Sequence, residues 1–271
     1  MMYDKRRLSP LRYPGAKGRV LDKISKYMSV EHVEYREPFV GGGSVFLSKM
    51  KVERNWINDR DELVAALWQV IRDTPESLCE YVELTLPTVD YWREVKRLPE
   101  VNLLEKAYKC LFLNRTNYSG ILKANPIGGI EQKSKYPIDC RWNPNNLIKR
   151  IMLCSEKLQG TNITSLDFRD VIEAAGDEVL MFVDPPYYKK GHRLYPTYMS
   201  NEEHHVLAQL LQNTNHRFLL TIDNCEEVQE LYRWANMYIA HESWFYTIKP
   251  QNGNYLKGNE LFISNFDIEE V

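Results

Sequence analysis

At 271 residues, with 44% hydrophobic and 27% charged positions, the chain is long enough to bury a sizeable core, and disordered or fibrous classes are excluded. Its formal net charge of −2 gives by itself no hint of a polyanionic partner. The five cysteines, Cys79, Cys110, Cys140, Cys154 and Cys225, are odd in number and nowhere spaced as a zinc knuckle or redox pair, so they read as reduced thiols. The opening MMYDKRRLSP lacks the apolar stretch of a signal peptide, and no apolar run is long enough to cross a membrane. A soluble, cytoplasmic protein is expected.

Charge is distributed unevenly along the chain. Residues 1–30 hold eight bases against two acids, and residues 109–150 again hold eight against two, so each region carries +6. Because these regions together carry +12 in a chain of −2, the remainder carries −14. The near-neutral total conceals two basic regions in an acidic body.

In chain order, short apolar runs rich in β-branched and aromatic residues alternate with helical stretches, the pattern of an α/β protein with a mostly parallel sheet. Strands are expected at 33–39, running into Gly41-Gly42-Gly43, and at 55–58, ending at Asp59. Further strands are expected at 161–165, 179–183, 218–222, 238–243 and 260–266, about seven in all. Between the second and third, helices at 62–72, 89–96 and 103–114 precede a loop rich in Gly, Asn and Pro. That crossover is longer than a sheet needs. It reads as an inserted domain, residues 63–146, within a body made of 1–62 and 147–271, and it contains most of the second basic region.

Three segments carry chemistry. In EPFVGGGSVFL, 37–47, a strand runs into three glycines and a helix, which lets backbone approach a ligand, although a structural turn would look the same. Asp59 closes the next strand, where an acid can accept both hydroxyls of a ribose or can simply be a solvated surface group. In MFVDPPYY, 181–188, an apolar strand delivers Asp184 to the sheet edge, Pro185 and Pro186 fix the following backbone, and Tyr187 supplies a flat ring. An exocyclic amino group on a nucleobase is a poor nucleophile because its lone pair is delocalised into the ring. If the Asp184 carboxylate and the Pro185 carbonyl accept its two N–H bonds, the nitrogen can become tetrahedral and present that lone pair. The motif is a clamp for an amino-bearing ring stacked on Tyr187, and a base in a duplex must first leave the stack to reach it.

RYPGAKGR (12–19), EPFVGGGSVFL, LNRTNYSG (113–120) and DPPYY, in this order, resemble the Dam-like (class D12) N6-adenine DNA methyltransferases, and RWNPNNLIKRI (141–151) and KGNELFISNF extend the resemblance over nearly the whole chain. The resemblance implies a Rossmann-like methyltransferase sheet with an inserted, mainly helical target-recognition domain. It implies S-adenosyl-L-methionine as cofactor, held by Tyr13, Lys17, Phe39, Gly41, Gly43, Asp59, Asp167, Phe168 and Asp184. It implies Asp184, Pro185, Pro186 and Tyr187 as the catalytic set, without a metal. Helix capping is the competing role for Asp167.

The same resemblance makes 114–136 a DNA-reading hairpin, with Tyr118 as the ring that wedges into the base stack. Arg12, Arg115, Asn117, Lys123, Lys133 and Lys135 complete the DNA-facing set. Lys123 stands where the positionally matched family member has an Arg, and Lys lacks the bidentate fork that favours guanine, so a GATC target does not follow. Double-stranded DNA, a cognate restriction endonuclease and a monomer or weak dimer are the implied partners and state, in a bacterial, phage or mobile-element setting. An N4-cytosine methyltransferase, an RNA or protein-glutamine methyltransferase, and a nucleic-acid-binding module without turnover are the alternatives. His204-His205 lack a third ligand at metal spacing and read as a solvated or satisfied pair.

Overall fold

The computed structural model describes residues 8–12, 17, 20–189, 198–245 and 257–267. Its strands are β1 (Glu34–Glu37), β2 (Arg54–Asn58), β3 (Asn162–Thr164), β4 (Val179–Val183), β5 (Arg217–Asp223), β6 (Asn236–Phe245) and β7 (Lys257–Ser264). They form one sheet in the order β3-β2-β1-β4-β5-β7-β6. β7 runs antiparallel to both β5 and β6, and the other strands share one direction. The strand order reverses at β1 and β4, so a crevice for ligands is expected beyond their carboxyl ends.

Both faces of β4, the middle strand of the sheet, are apolar, as a parallel sheet covered on two sides requires. Along β4, Leu180 and Phe182 enter one core while Val179, Met181 and Val183 enter the other. On β5 and β7 the same alternation separates Leu219 and Phe262 from Phe218, Leu220, Ile222, Leu261 and Ile263.

The first core includes α1 (Leu21–Tyr27) and α2 (Ser44–Ser48) and continues into α3 (Glu62–Asp73), α4 (Pro75–Leu84), α5 (Val89–Arg97), α6 (Leu103–Thr116) and α7 (Pro144–Leu158). α3 is capped by Asp61, whose side chain accepts from the Leu63 N–H, and it buries Val64, Leu67, Trp68 and Ile71 on one stripe. It packs against both α6 and α7. α4 and α7, two helices beyond those expected from the residue pattern, each begin on a proline. At the first helical position the missing N–H is no loss and the fixed φ is already helical, so those prolines start helices rather than interrupt chain. The second core is closed by α8 (Phe168–Glu173), α9 (Asn201–Asn213) and α10 (Glu226–Leu231). α9 starts on a reciprocal capping box between Ser200 and Glu203.

Candidate active site

Asp184 follows β4, whose five residues are all buried, and so stands at the carboxyl edge of the sheet. Lys17 Nζ lies 2.7 Å from its Oδ1, and the Thr221 hydroxyl on β5 donates to that same oxygen at 2.8 Å. Among the described residues no donor meets Oδ2. The Tyr187 hydroxyl donates to Oε1 of Glu260 on β7, which also lies 3.4 Å from Lys17 Nζ. Lys17 sits 5.4 Å from the centre of the Tyr187 ring. The ring expected to offer an open face is only 2% exposed in this arrangement. Pro185 is buried and Pro186 half-buried.

Two more carboxylates belong to this edge. Glu37 ends β1, is buried, and accepts from the Tyr35 hydroxyl. Burial pushes its pKa up to about 8, and the charge of Asp184 adds to the rise. Burial likewise raises the pKa of Glu260, with Lys17 pulling against it.

The glycine turn is built on positive φ at Gly41 (45°) and Gly43 (66°), where L side chains are strained. A Cβ at Gly43 would also meet the Trp68 ring at 3.0 Å, and the Trp68 indole N–H donates to the Gly41 carbonyl at 3.0 Å. Asp59 is 8% exposed; its Oδ2 accepts from Gly41 N–H and its Oδ1 from Asp61 N–H, each at 2.9 Å. Burial, and then the charge of Asp61, lifts its pKa to about 7. The Phe39 and Phe168 rings approach to 5.4 Å beside this turn. Asp167 takes the capping role weighed against it, accepting from Arg169 N–H at 3.0 Å and pairing with the Arg169 guanidinium at 2.8 Å. Tyr13 lies outside the described residues.

The DNA-facing candidates gather away from this turn, where α6 ends. A single antiparallel bridge, Asn117 with Pro126, closes the segment expected as a hairpin. Positive φ at Ser119, Gly120, Gly128, Gly129 and Gln132 bends the rest into turns, which prevents two regular strands. Tyr118, next to the bridge, is 55% exposed. Lys123, Lys133 and Lys135 are exposed, Lys133 pairing with Glu131 at 2.5 Å. Lys123 is near enough for its charge to act on Asp61 at the sheet edge.

Asn117 faces inward instead: its amide oxygen accepts from the Trp92 indole at 2.6 Å, and its nitrogen donates to the carbonyls of Ile121 and Leu122. Arg115 is also buried, with its guanidinium on the carbonyls of Arg141 and Pro10. Burial, together with Arg12, Arg150 and Arg141, lowers its pKa to about 10. These four arginines have no carboxylate partner among the described residues, and Arg12 Nη1 and Arg150 Nε are buried without any acceptor. Such a cluster favours an anion.

A family model described as D12 class N6 adenine-specific DNA methyltransferase matches residues 13–248. The chain belongs to this family. It is 24% identical over 187 residues to the type II methyltransferase M1.LlaDCHI of Lactococcus lactis subsp. cremoris, covering 65% of this chain and 64% of that one. It is 27% identical over 243 residues to the DNA N-6-adenine-methyltransferase of Escherichia phage P1, covering 83% of this chain but 31% of the phage protein. With the DNA adenine methylase of Vibrio cholerae the identity is 21% over 264 residues, 87% of this chain and 88% of the relative. The chain thus spans less than two thirds of the first two relatives.

In this D12 class chain, Glu37, Thr221 and Glu260 join the site without having been selected from the sequence. Glu37 was within reach as the first residue of the glycine-turn block, whereas Thr221 and Glu260 come to Asp184 only through strand pairing. His204 departs from its expected role: it is fully buried against the Tyr188 ring, and neither ring nitrogen has a hydrogen-bond partner. Burial lowers its pKa to about 4, so it is neutral. Among the described residues, no group of His, Cys, Asp or Glu could hold a metal ion, and no helix is long and apolar enough to cross a membrane.

Proposed function

We propose that the chain transfers a methyl group from S-adenosyl-L-methionine to N6 of an adenine extruded from duplex DNA. The observation that carries the reading is Asp184 at the end of β4, held through one oxygen by Lys17 and Thr221 while its other oxygen meets no donor among the described residues. That oxygen and the Pro185 carbonyl would accept the two N–H bonds of the amino group, turning its lone pair out of the ring. Tyr187 would hold the base by stacking. The carboxylate would position and polarise the amino group before transfer rather than deprotonate it, and the methylated nitrogen would then release one N–H proton to Asp184 and on to solvent.

The residues present suit the cofactor. Asp59 is a buried acceptor whose oxygens each retain a lone pair for a ribose hydroxyl, and the turn at Gly41 and Gly43 brings backbone close without side chains. Phe39 and Phe168 supply apolar faces for an adenine ring, with Asp167 beside them. Bound there, the cofactor supplies an electrophilic methyl group on sulfur.

On the DNA side, we assign residues 63–146 as the target-recognition part and 1–62 with 147–271 as the catalytic part. Tyr118 and Lys123 face the duplex, Lys133 and Lys135 its backbone, and Arg12 with Arg115 the join between the two parts. Asn117 acts from inside, fixing the loop. We further propose a cognate endonuclease, a monomer or weak dimer, and a bacterial or phage-infected cytoplasm.

The experiment is methylation of duplex DNA with labelled cofactor, followed by digestion to nucleosides and identification of the labelled one by mass. N6-methyladenine is expected, and Asp184→Ala should abolish it while leaving cofactor binding measurable. Labelled N4-methylcytosine, or transfer by Asp184→Ala near the wild-type rate, would overturn the reading.

A further inference from the structure

We propose that Glu260 is a positioning residue for methyl transfer, holding the Tyr187 ring and the Lys17 ammonium in register with Asp184. The proposal rests on the function just given. β7, the strand antiparallel to its neighbours, begins at the carboxyl edge where β4 and β5 end, and it sets Glu260 opposite Asp223. There Glu260 is 1% exposed. One of its oxygens serves both the Tyr187 hydroxyl and Lys17, and Lys17 in turn meets Asp184 at 2.7 Å.

The residue type makes no sense as core filling. Glu260 Oε2 is buried and has no hydrogen-bond partner among the described residues, an arrangement that is destabilising for a carboxylate. An apolar or amide side chain would suit the core better. What the carboxylate does uniquely is attract Lys17 while accepting from Tyr187. A phenylalanine at 187 would stack on a base equally well, so the hydroxyl serves to fix where the ring stands. With Glu260 in place, ring and carboxylate clamp form one rigid unit; without it, both Tyr187 and Lys17 lose their common anchor.

The test uses the full chain and single-turnover methylation of duplex DNA, with cofactor affinity measured separately. Glu260→Ala should slow transfer about 10- to 100-fold, the range for loss of a charge-assisted hydrogen bond, with cofactor affinity within about threefold. Adding Tyr187→Phe to Glu260→Ala should slow it no further, because the hydroxyl acts through Glu260. Glu260→Gln keeps an acceptor for Tyr187 but not the charge that draws Lys17, and should recover part of the rate. A Glu260→Ala rate within about threefold of wild type, or double-variant losses that multiply, would overturn the proposal. If the Ala variant does not fold, Glu260→Gln decides: a wild-type rate rejects the role, and a reduced rate coupled to Tyr187→Phe supports it. An inactive wild-type chain would instead reject the functional reading itself.

Discussion

Asn114 binds Arg12 through both of the arginine's backbone groups. Its amide oxygen accepts from Arg12 N–H at 2.7 Å, and its nitrogen donates to the Arg12 carbonyl at 3.0 Å. The same nitrogen donates to the Gly120 carbonyl at 2.9 Å. One side chain at the end of α6 thus does for Arg12 what a neighbouring strand would do, and it joins the N-terminal basic segment to the loop that carries Tyr118.

Gly120 closes this joint so tightly that a Cβ there would lie 2.0 Å from the Arg12 carbonyl oxygen, at a φ of 79°. Gly120→Ala therefore adds backbone strain of about 1–3 kcal/mol to a clash with main chain. Affinity for a duplex oligonucleotide, followed by fluorescence anisotropy, should fall by at least about tenfold. Calorimetry should find cofactor binding unchanged. Equal losses in both would mean that the joint supports the whole fold rather than the DNA side.

Thr221 is buried, and its hydroxyl supplies one of the two contacts made to Asp184 Oδ1. Thr221→Val keeps the shape and removes the donor. A hydrogen bond to a charged group is worth about 1.5–3 kcal/mol, so kcat should fall about tenfold or more with KM for the cofactor little changed. Thr221→Ser should restore most of the rate. A Val variant with wild-type kcat would show that Lys17 alone orients the carboxylate.

Asp59 gives stability a specific pH dependence. Its pKa rises from 3.8 to about 7 on folding, so between those values the folded chain holds a proton that the unfolded chain has released. Stability from this group is therefore fullest in acid, falls as pH rises toward 7, and is flat above it. Relative to Asp59→Asn, which does not titrate, the wild-type unfolding free energy should decline by about 2 kcal/mol between pH 5 and 7. Urea unfolding of the two proteins across that range measures it. A pH-independent difference would place Asp59 in a solvated setting.

The positions of Asp184, Asp59 and the glycine turn at strand ends could be read in advance because each sits in a short string whose neighbours declare it: an apolar strand, then the acid or the glycines, then a backbone constraint. The helices at 62–73, 89–97 and 103–116 were legible from capping residues and apolar spacing for the same local reason. Glu260 was not. It meets Tyr187 across 73 residues of sequence, through the register of β7 on β5, and nothing beside it announces that pairing. Asn117 misled in the opposite direction: a polar residue in a loop suggests an outward contact, yet Trp92, 25 residues earlier, claims it for the interior.

The four arginines around residues 8–12 have a thermodynamic consequence. Held together without carboxylate partners among the described residues, they repel one another in the free protein, so this corner of the fold is under electrostatic tension that an anion relieves. Folding and DNA binding should then respond to the same salt in opposite senses. Sulfate should raise the melting temperature above its value in chloride of equal ionic strength while weakening the DNA complex. Arg150→Met should lose about 3 °C of that sulfate increment. An increment that survives the substitution would assign it to general salt exclusion from the surface. The protein would be most robust to heat in the very buffer in which it holds DNA least.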